Sequence, residues 1–165
     1  MANGISLGSY IRAHQHSTGA ASLENQAIEK SRGGNTTKIH MVVDAYGLPV
    51  NFSITAGNIN DVTAAPDLIN STESIKIMVG DKGYDSELIR KTIEKKGGRS
   101  IIPRKSNSII GNNDVDWYLY KLRHLVENLF ARLKHFRAIA TRYDKLGRNF
   151  YNLVGLACSF LWLPM

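Results

Sequence analysis

Residues 75–85 read IKIMVGDKGYD, and the reading of this stretch decides the fold. Ile75 to Val79 is short and almost wholly apolar, and turn-forming residues follow it at once. A run of this kind is typical of a strand buried on both faces, in a sheet covered by helices. Asp81 comes directly after it, so its carboxylate emerges at the carboxyl end of a strand, where open α/β sheets place their ligands. An Asp in that position also serves an ordinary turn or helix cap, and the segment alone does not choose between the two.

Working upstream, Lys38 to Val43 (KIHMVV) and Leu48 to Thr55 (LPVNFSIT) read as strands. Asp44-Ala45-Tyr46-Gly47 supplies the turn that joins them into a hairpin. Asn60-Asp61 offers the cap of a helix over Val62 to Ile69, ending loosely at Ser71-Thr72. Leu7 to His14 suits a strand, and Gly19 to Gly34 reads as a loop with a weak helix at its centre. Downstream, Ser86 caps a helix with Leu88, Ile89 and Ile93 on its buried side and Gly97-Gly98 as its stop. Ile101-Ile102 form a short strand closed by Pro103. A long helix is expected from about Asp116 to Ala140, and a final apolar one from about Asn149 onward. Hairpin, helix, buried strand, helix, strand and long helix describe an α/β layer protein with a mixed sheet. That order suits an RNase H-like fold, three layers with a mixed β-sheet flanked by helices, across 1–165 as a single domain.

Lys and Arg number 21 against 14 Asp and Glu, a net charge of +7. The excess favours an anionic partner, of which nucleic acid is the commonest. With Cys158 the only cysteine, no internal disulfide forms and a cytoplasmic setting is expected. The apolar run Leu153 to Met165 falls short of the ~18 residues that a membrane span needs, so no membrane partner is expected. His and Cys residues show no closed set with zinc spacing. Gly33-Gly34 and Gly97-Gly98 lack the following Lys-Ser/Thr of a phosphate loop.

Within the long helix, Tyr120, Arg123, Glu127 and Lys134 recur at offsets of three, four and seven residues. At about 100° per residue all four fall on one face, within an arc of about 60°. Leu119, Leu122, Leu125, Val126, Leu129, Phe130, Leu133 and Phe136 gather on another side. One face therefore packs on a core, and a separate stripe presents a phenol, a guanidinium, a carboxylate and an amine. A solvated face with an Arg–Glu pair at i,i+4 would look the same; Asp81 at its strand end is what favours a site.

Tyr120-x2-Arg123-x3-Glu127-x6-Lys134 resembles the Tyr-Arg-Glu-Lys signature of DDE transposases from a large group of bacterial insertion sequences. Residues 31–40 (SRGGNTTKIH), 79–85 (VGDKGYD) and 137–145 (RAIATRYDK) resemble the same family. The matches cover nearly the whole chain in the expected order. The resemblance implies that Asp81 is the second catalytic and metal-binding carboxylate and Glu127 the third. It also implies Mg²⁺ (or Mn²⁺) as cofactor and double-stranded DNA at transposon ends and target as partner. Chemistry agrees, since hard divalent cations take carboxylate oxygens and in-line phosphodiester cleavage needs an activated nucleophile and a stabilised leaving oxygen. Arg123 and Lys134 suit DNA backbone contacts, and Tyr120 suits a phosphate or an unpaired base.

One position departs from the pattern. The family's first carboxylate is expected immediately ahead of Gly8, and the residue there is Leu7. No Asp precedes Asp44, whose hairpin turn accounts for it. Loss of one of three ligands implies weakened metal binding, a misplaced nucleophile, and cleavage that is very slow or absent in this chain alone. The rival expectation is therefore a catalytically dead DNA-binding fragment, or an interfering partner of an intact transposase. The upstream DNA-end-binding region usual in the family is not seen, and a degraded copy, the second frame of a frameshifted gene and altered sequence near a junction all fit. A homodimer, or an assembly with an upstream-frame product, follows as the expected association.

Overall fold

The computed structural model describes residues 3–19 and 26–163, with positions 3 and 5–7 described in backbone only. Its spine is the sheet. β1 (Asn3–Ala13) pairs antiparallel with β3 (Gly34–Val43) from Ile5↔Val43 to Arg12↔Thr36. On its other edge β1 runs parallel to β5 (Ile77–Gly80), from Asn3↔Ile77 to Ser6↔Gly80. β6 (Arg99–Ile101) continues the parallel set. Beyond β3 lies β4 (Pro49–Ala56), antiparallel to it. Reading across gives β4-β3-β1-β5-β6, with only β3 opposed to its neighbours. This is the RNase H-like order: a hairpin strand beside β1 on one side, parallel crossovers on the other.

Helices cover both faces. α1 (Asp61–Ser71) and α2 (Glu87–Lys95) enclose a core of Val42, Ala65, Leu68, Ile69, Met78, Tyr84, Ile89 and Ile93. On the opposite face Ile11, Ile39, Met41 and Val79 meet α4 (His124–Lys134) through Val126, Leu129, Phe130 and Leu133, and α6 (Gly147–Leu161) through Phe150 and Val154. β3 is buried on both faces from Thr36 to Val43, which is why its side chains serve two cores by simple alternation.

Several expected boundaries differ. The long helix is three pieces: α3 (Trp117–Tyr120), a 3₁₀ turn at Lys121–Arg123, and α4. It stops before Ala140 because Phe136 is extended and the short α5 (Arg137–Ala140) turns the chain into β7 (Thr141–Arg142). β7 adds to β1 at Arg12↔Thr141 and Ala13↔Arg142, a pairing that no single helix would allow. Phe136, expected in the core, is consequently exposed and meets Phe160 edge-on at 6.3 Å. Leu88 is also exposed, because α2 turns Ile89, Arg90 and Ile93 inward. Ile75 is buried but precedes β5, Ile102 lies past β6, and α6 starts at Gly147. β1 begins earlier than expected, at Asn3. A strand, β2 (Glu29–Ser31), stands where a loop was read, paired to β3 through Glu29↔Thr36. The centre of that loop, residues 20–25, lies outside the described residues.

Candidate active site

Asp81 leaves the end of β5 and caps the 3₁₀ turn Lys82–Tyr84, where its Oδ1 accepts the Gly83 N–H at 2.7 Å. Asp81 thus stands at a strand end and serves as a turn cap at once. Burial pushes its pKa up and the negative charge of Asp61 adds to this, while the Gly83 N–H and the Arg123 charge oppose it.

Asp61 is the residue that sequence reasoning passed over. It opens α1 behind the N-cap Asn60, whose Oδ1 accepts the Val62 N–H at 3.3 Å. The Cβ position of Gly83 lies 2.8 Å from Asp81 Oδ1 and 3.0 Å from Asp61 Oδ2. The Cβ position of Gly8 lies 2.7 Å from Asp61 Oδ1. Two carboxylates thus converge over two glycines whose missing side chains make room for them. The β1–β5 register aligns Ser6 with Gly80, so the next positions along the two strands are Leu7 and Asp81. The backbone of Leu7 pairs with Met41; its side chain lies outside those described.

Asp61 Oδ1 stands 3.2 Å from the Lys38 ammonium and 3.5 Å from His40 Nδ1. Although buried, this oxygen has no aligned hydrogen bond among the described residues, so the Lys38 contact is one of charge rather than of direction. The amine instead donates to Ile59 O at 3.0 Å. Burial works against the Lys38 charge, but Tyr10 and Asp61 outweigh it and its pKa is raised. Burial holds the His40 pKa down to about 4 against the pull of Asp61. At neutral pH His40 is therefore an uncharged neighbour of Asp61, not an ion-pair partner. Its Nε2 lies 2.9 Å from Thr55 Oγ1 and its Nδ1 3.4 Å from the Tyr84 hydroxyl.

From the opposite face of the sheet come the helix residues. Arg123 pairs with Glu127 at 2.9 Å, and its guanidinium lies 5.7 Å from the Tyr120 ring centroid. The Arg123 charge also acts on Asp81, in the direction that favours its carboxylate form. Lys134 is exposed in the last turn of α4, two turns past Glu127, with no ion pair among the described residues. Asp44 spends its carboxylate on the Tyr46 and Leu48 N–H groups, at 2.9 Å each, and so belongs to the hairpin turn.

A divalent cation suits part of this arrangement. Two hard carboxylates face one point, one of them with an oxygen lacking an aligned donor, and their mutual repulsion is what a cation would relieve. Glu127 is turned to Arg123, and no three His, Cys, Asp or Glu side chains stand together closely enough to hold a metal among the described residues.

An RNase H-like α/β domain with acidic side chains gathered at the carboxyl end of its parallel strands is the class that fold and site define. The chain belongs to the transposase DDE domain family, whose model matches residues 8–162. It is 36% identical over 130 residues to the IS6501 insertion-element transposase homologue of Brucella ovis, covering 78% of this chain and 98% of the relative. To the IS402 homologue of Burkholderia cepacia it is 30% identical over 144 residues, covering 81% of this chain and 64% of that one. Among solved structures, a piggyBac transposase synaptic complex with hairpin DNA aligns with 72% of this chain and 25% of its own, at TM-score 0.43 and 14% identity. That likeness is too distant to add to the topology. No helix among the described residues is long and apolar enough to cross a membrane.

Proposed function

We propose that this chain is the catalytic unit of an insertion-sequence transposase, of the kind that cuts and joins DNA at the element's ends with Mg²⁺ or Mn²⁺, and that Leu7 in place of the first carboxylate leaves its own cutting slow or absent. The observation that carries the reading is the convergence of Asp81 and Asp61 beside strand position 7. Asp81 and Asp61 would hold the ion, with Glu127 joining once Arg123 lets it go. When bound, a divalent ion activates the attacking water or hydroxyl and offsets charge on the leaving oxygen. Lys38 fixes Asp61 from within, so this carboxylate does not swing freely. Arg123 holds Glu127 in place, and an arriving phosphate can compete for the guanidinium, since Arg binds phosphate and carboxylate with the same fork. Lys134 and Tyr120 extend the contact along the DNA. The unit acts in the bacterial cytoplasm, paired with a second copy or with an upstream product that binds transposon ends.

Leu7 supports a second reading, in which the same unit binds DNA or an intact transposase without cutting. Titration of Mn²⁺ followed by its paramagnetic resonance separates the requirement for metal from turnover. The chain should bind Mn²⁺, and Asp81→Asn should weaken binding at least about tenfold, the size of loss expected for a disturbed metal site. Mn²⁺ binding indifferent to both Asp81→Asn and Asp61→Asn would remove the metal reading.

A further inference from the structure

A groove of about 620 Å³ opens beside the carboxylate pair, lined by Tyr10, Ser31, Arg32, Thr36, Gly57 and Asn58. It joins the site through two bridges. Tyr10 lies two residues beyond Gly8 on β1, or about 7 Å along an extended strand. Lys38, opposite Tyr10 in the β1–β3 register, ties that strand pair to Asp61. The floor is built to close tolerance: a Cβ on Gly57 would lie 1.9 Å from Thr36 Oγ1 and 2.9 Å from Thr36 O, and the Gly57 N–H donates to that carbonyl at 3.0 Å. Only glycine fits, and the groove keeps its depth there. Ser31 Oγ accepts from Thr36 Oγ1 at 2.8 Å and from the Gly33 N–H at 3.2 Å, which fixes the β2–β3 turn that presents Arg32.

The lining has the chemistry of one nucleotide. Tyr10 is 54% exposed, and the Lys38 ammonium sits 4.5 Å from its ring centroid. A half-open aromatic ring offers a base a stacking surface indifferent to sequence. Arg32 is exposed at the rim and carries the fork that binds phosphate oxygens. Arg12, on the Tyr10 side of β1, is exposed as well. We propose that this groove takes one unpaired nucleotide of the DNA strand next to the carboxylate pair, with its base on Tyr10 and its phosphate on Arg32. The proposal rests on the DNA-transposase reading above.

A short duplex carrying 2-aminopurine in a single-stranded overhang, compared with the blunt duplex, tests it. Binding of the overhang should quench the fluorophore. Tyr10→Ala should abolish the quench and weaken overhang binding about five- to one-hundred-fold, the range that loss of one base stack gives. Tyr10→Phe should keep both. Arg32→Ala should lower the salt slope of overhang binding by about one. Blunt-duplex binding should stay salt-dependent and indifferent to Tyr10→Ala. If Tyr10→Ala leaves overhang binding and quench unchanged, or weakens blunt and overhang DNA equally, the groove assignment fails while DNA binding stands. If the unaltered chain binds neither DNA at any salt concentration, the transposase reading fails with it.

Discussion

Buried polar residues carry most of what is particular to this chain. Arg142 is fully buried, and its guanidinium donates to Gln26 O at 2.5 Å, Thr37 Oγ1 at 2.6 Å, Asp144 O at 2.9 Å and Ala27 O at 3.2 Å. It therefore pins β7 and the segment around Gln26 to β3, and the family-like run 137–145 owes part of its meaning to architecture rather than to DNA. Arg142→Ala would strand several buried carbonyls and should cost at least about 3 kcal/mol, read as a lower denaturant midpoint with unchanged slope. His40 gives a pH signature. Its folded pKa, about 4, lies below the unfolded value near 6.5, so the unfolded chain takes up the proton first. Stability is full above about 6.5 and falls as pH drops toward 4, by up to about 3 kcal/mol. Thermal melts between pH 7 and 4.5 should show this fall and lose most of it in His40→Asn; a flat profile in the unaltered chain would contradict the burial argument. Cys158, raised to about 11 by burial, should resist alkylation in the folded protein.

At the scale of elements, apolar patterning was legible and competition between elements was not. KIHMVV reads as a strand because its residues fill both cores, and α4 reads as a helix because Val126, Leu129, Phe130 and Leu133 are all buried. Leu129→Ala should cost about 2–5 kcal/mol as a cavity in that core. The break after Lys134 was not legible. The run to Ala140 keeps good helical residues, and only the demand of β1 for a partner in β7 ends it. The place of Asp81 just past a buried strand and the i,i+4 pairing of Arg123 with Glu127 were legible, because both follow from local pattern. Asp61 was not, since Asn-Asp at a helix start has a sufficient local explanation, and its approach to Gly8 and Gly83 depends on how α1 packs across the sheet. The helix stripe makes its own prediction. Lys134→Ala should weaken DNA binding about equally for all sequences and reduce the salt slope by about one. Affinity insensitive to salt would point to a different partner.

For the whole molecule, the sheet order brings together at one edge positions that lie far apart in sequence. β1 and β5 set position 7 next to Asp81, α1 brings Asp61 beside Gly8 and Gly83, and Arg123 and Glu127 stay paired with each other on the helical segment that packs on the other face. Leu on a strand leaves such a framework intact, so membership of the transposase DDE domain family and activity are separate properties. The most direct measurement is Mg²⁺-dependent cleavage of insertion-sequence end DNA by the unaltered chain and by Leu7→Asp, at high DNA concentration. Cleavage should be very slow or absent in the unaltered chain, rise in Leu7→Asp, and vanish again when Asp81→Ala is added. Robust cleavage by the unaltered chain that persists in Asp81→Ala would contradict the account.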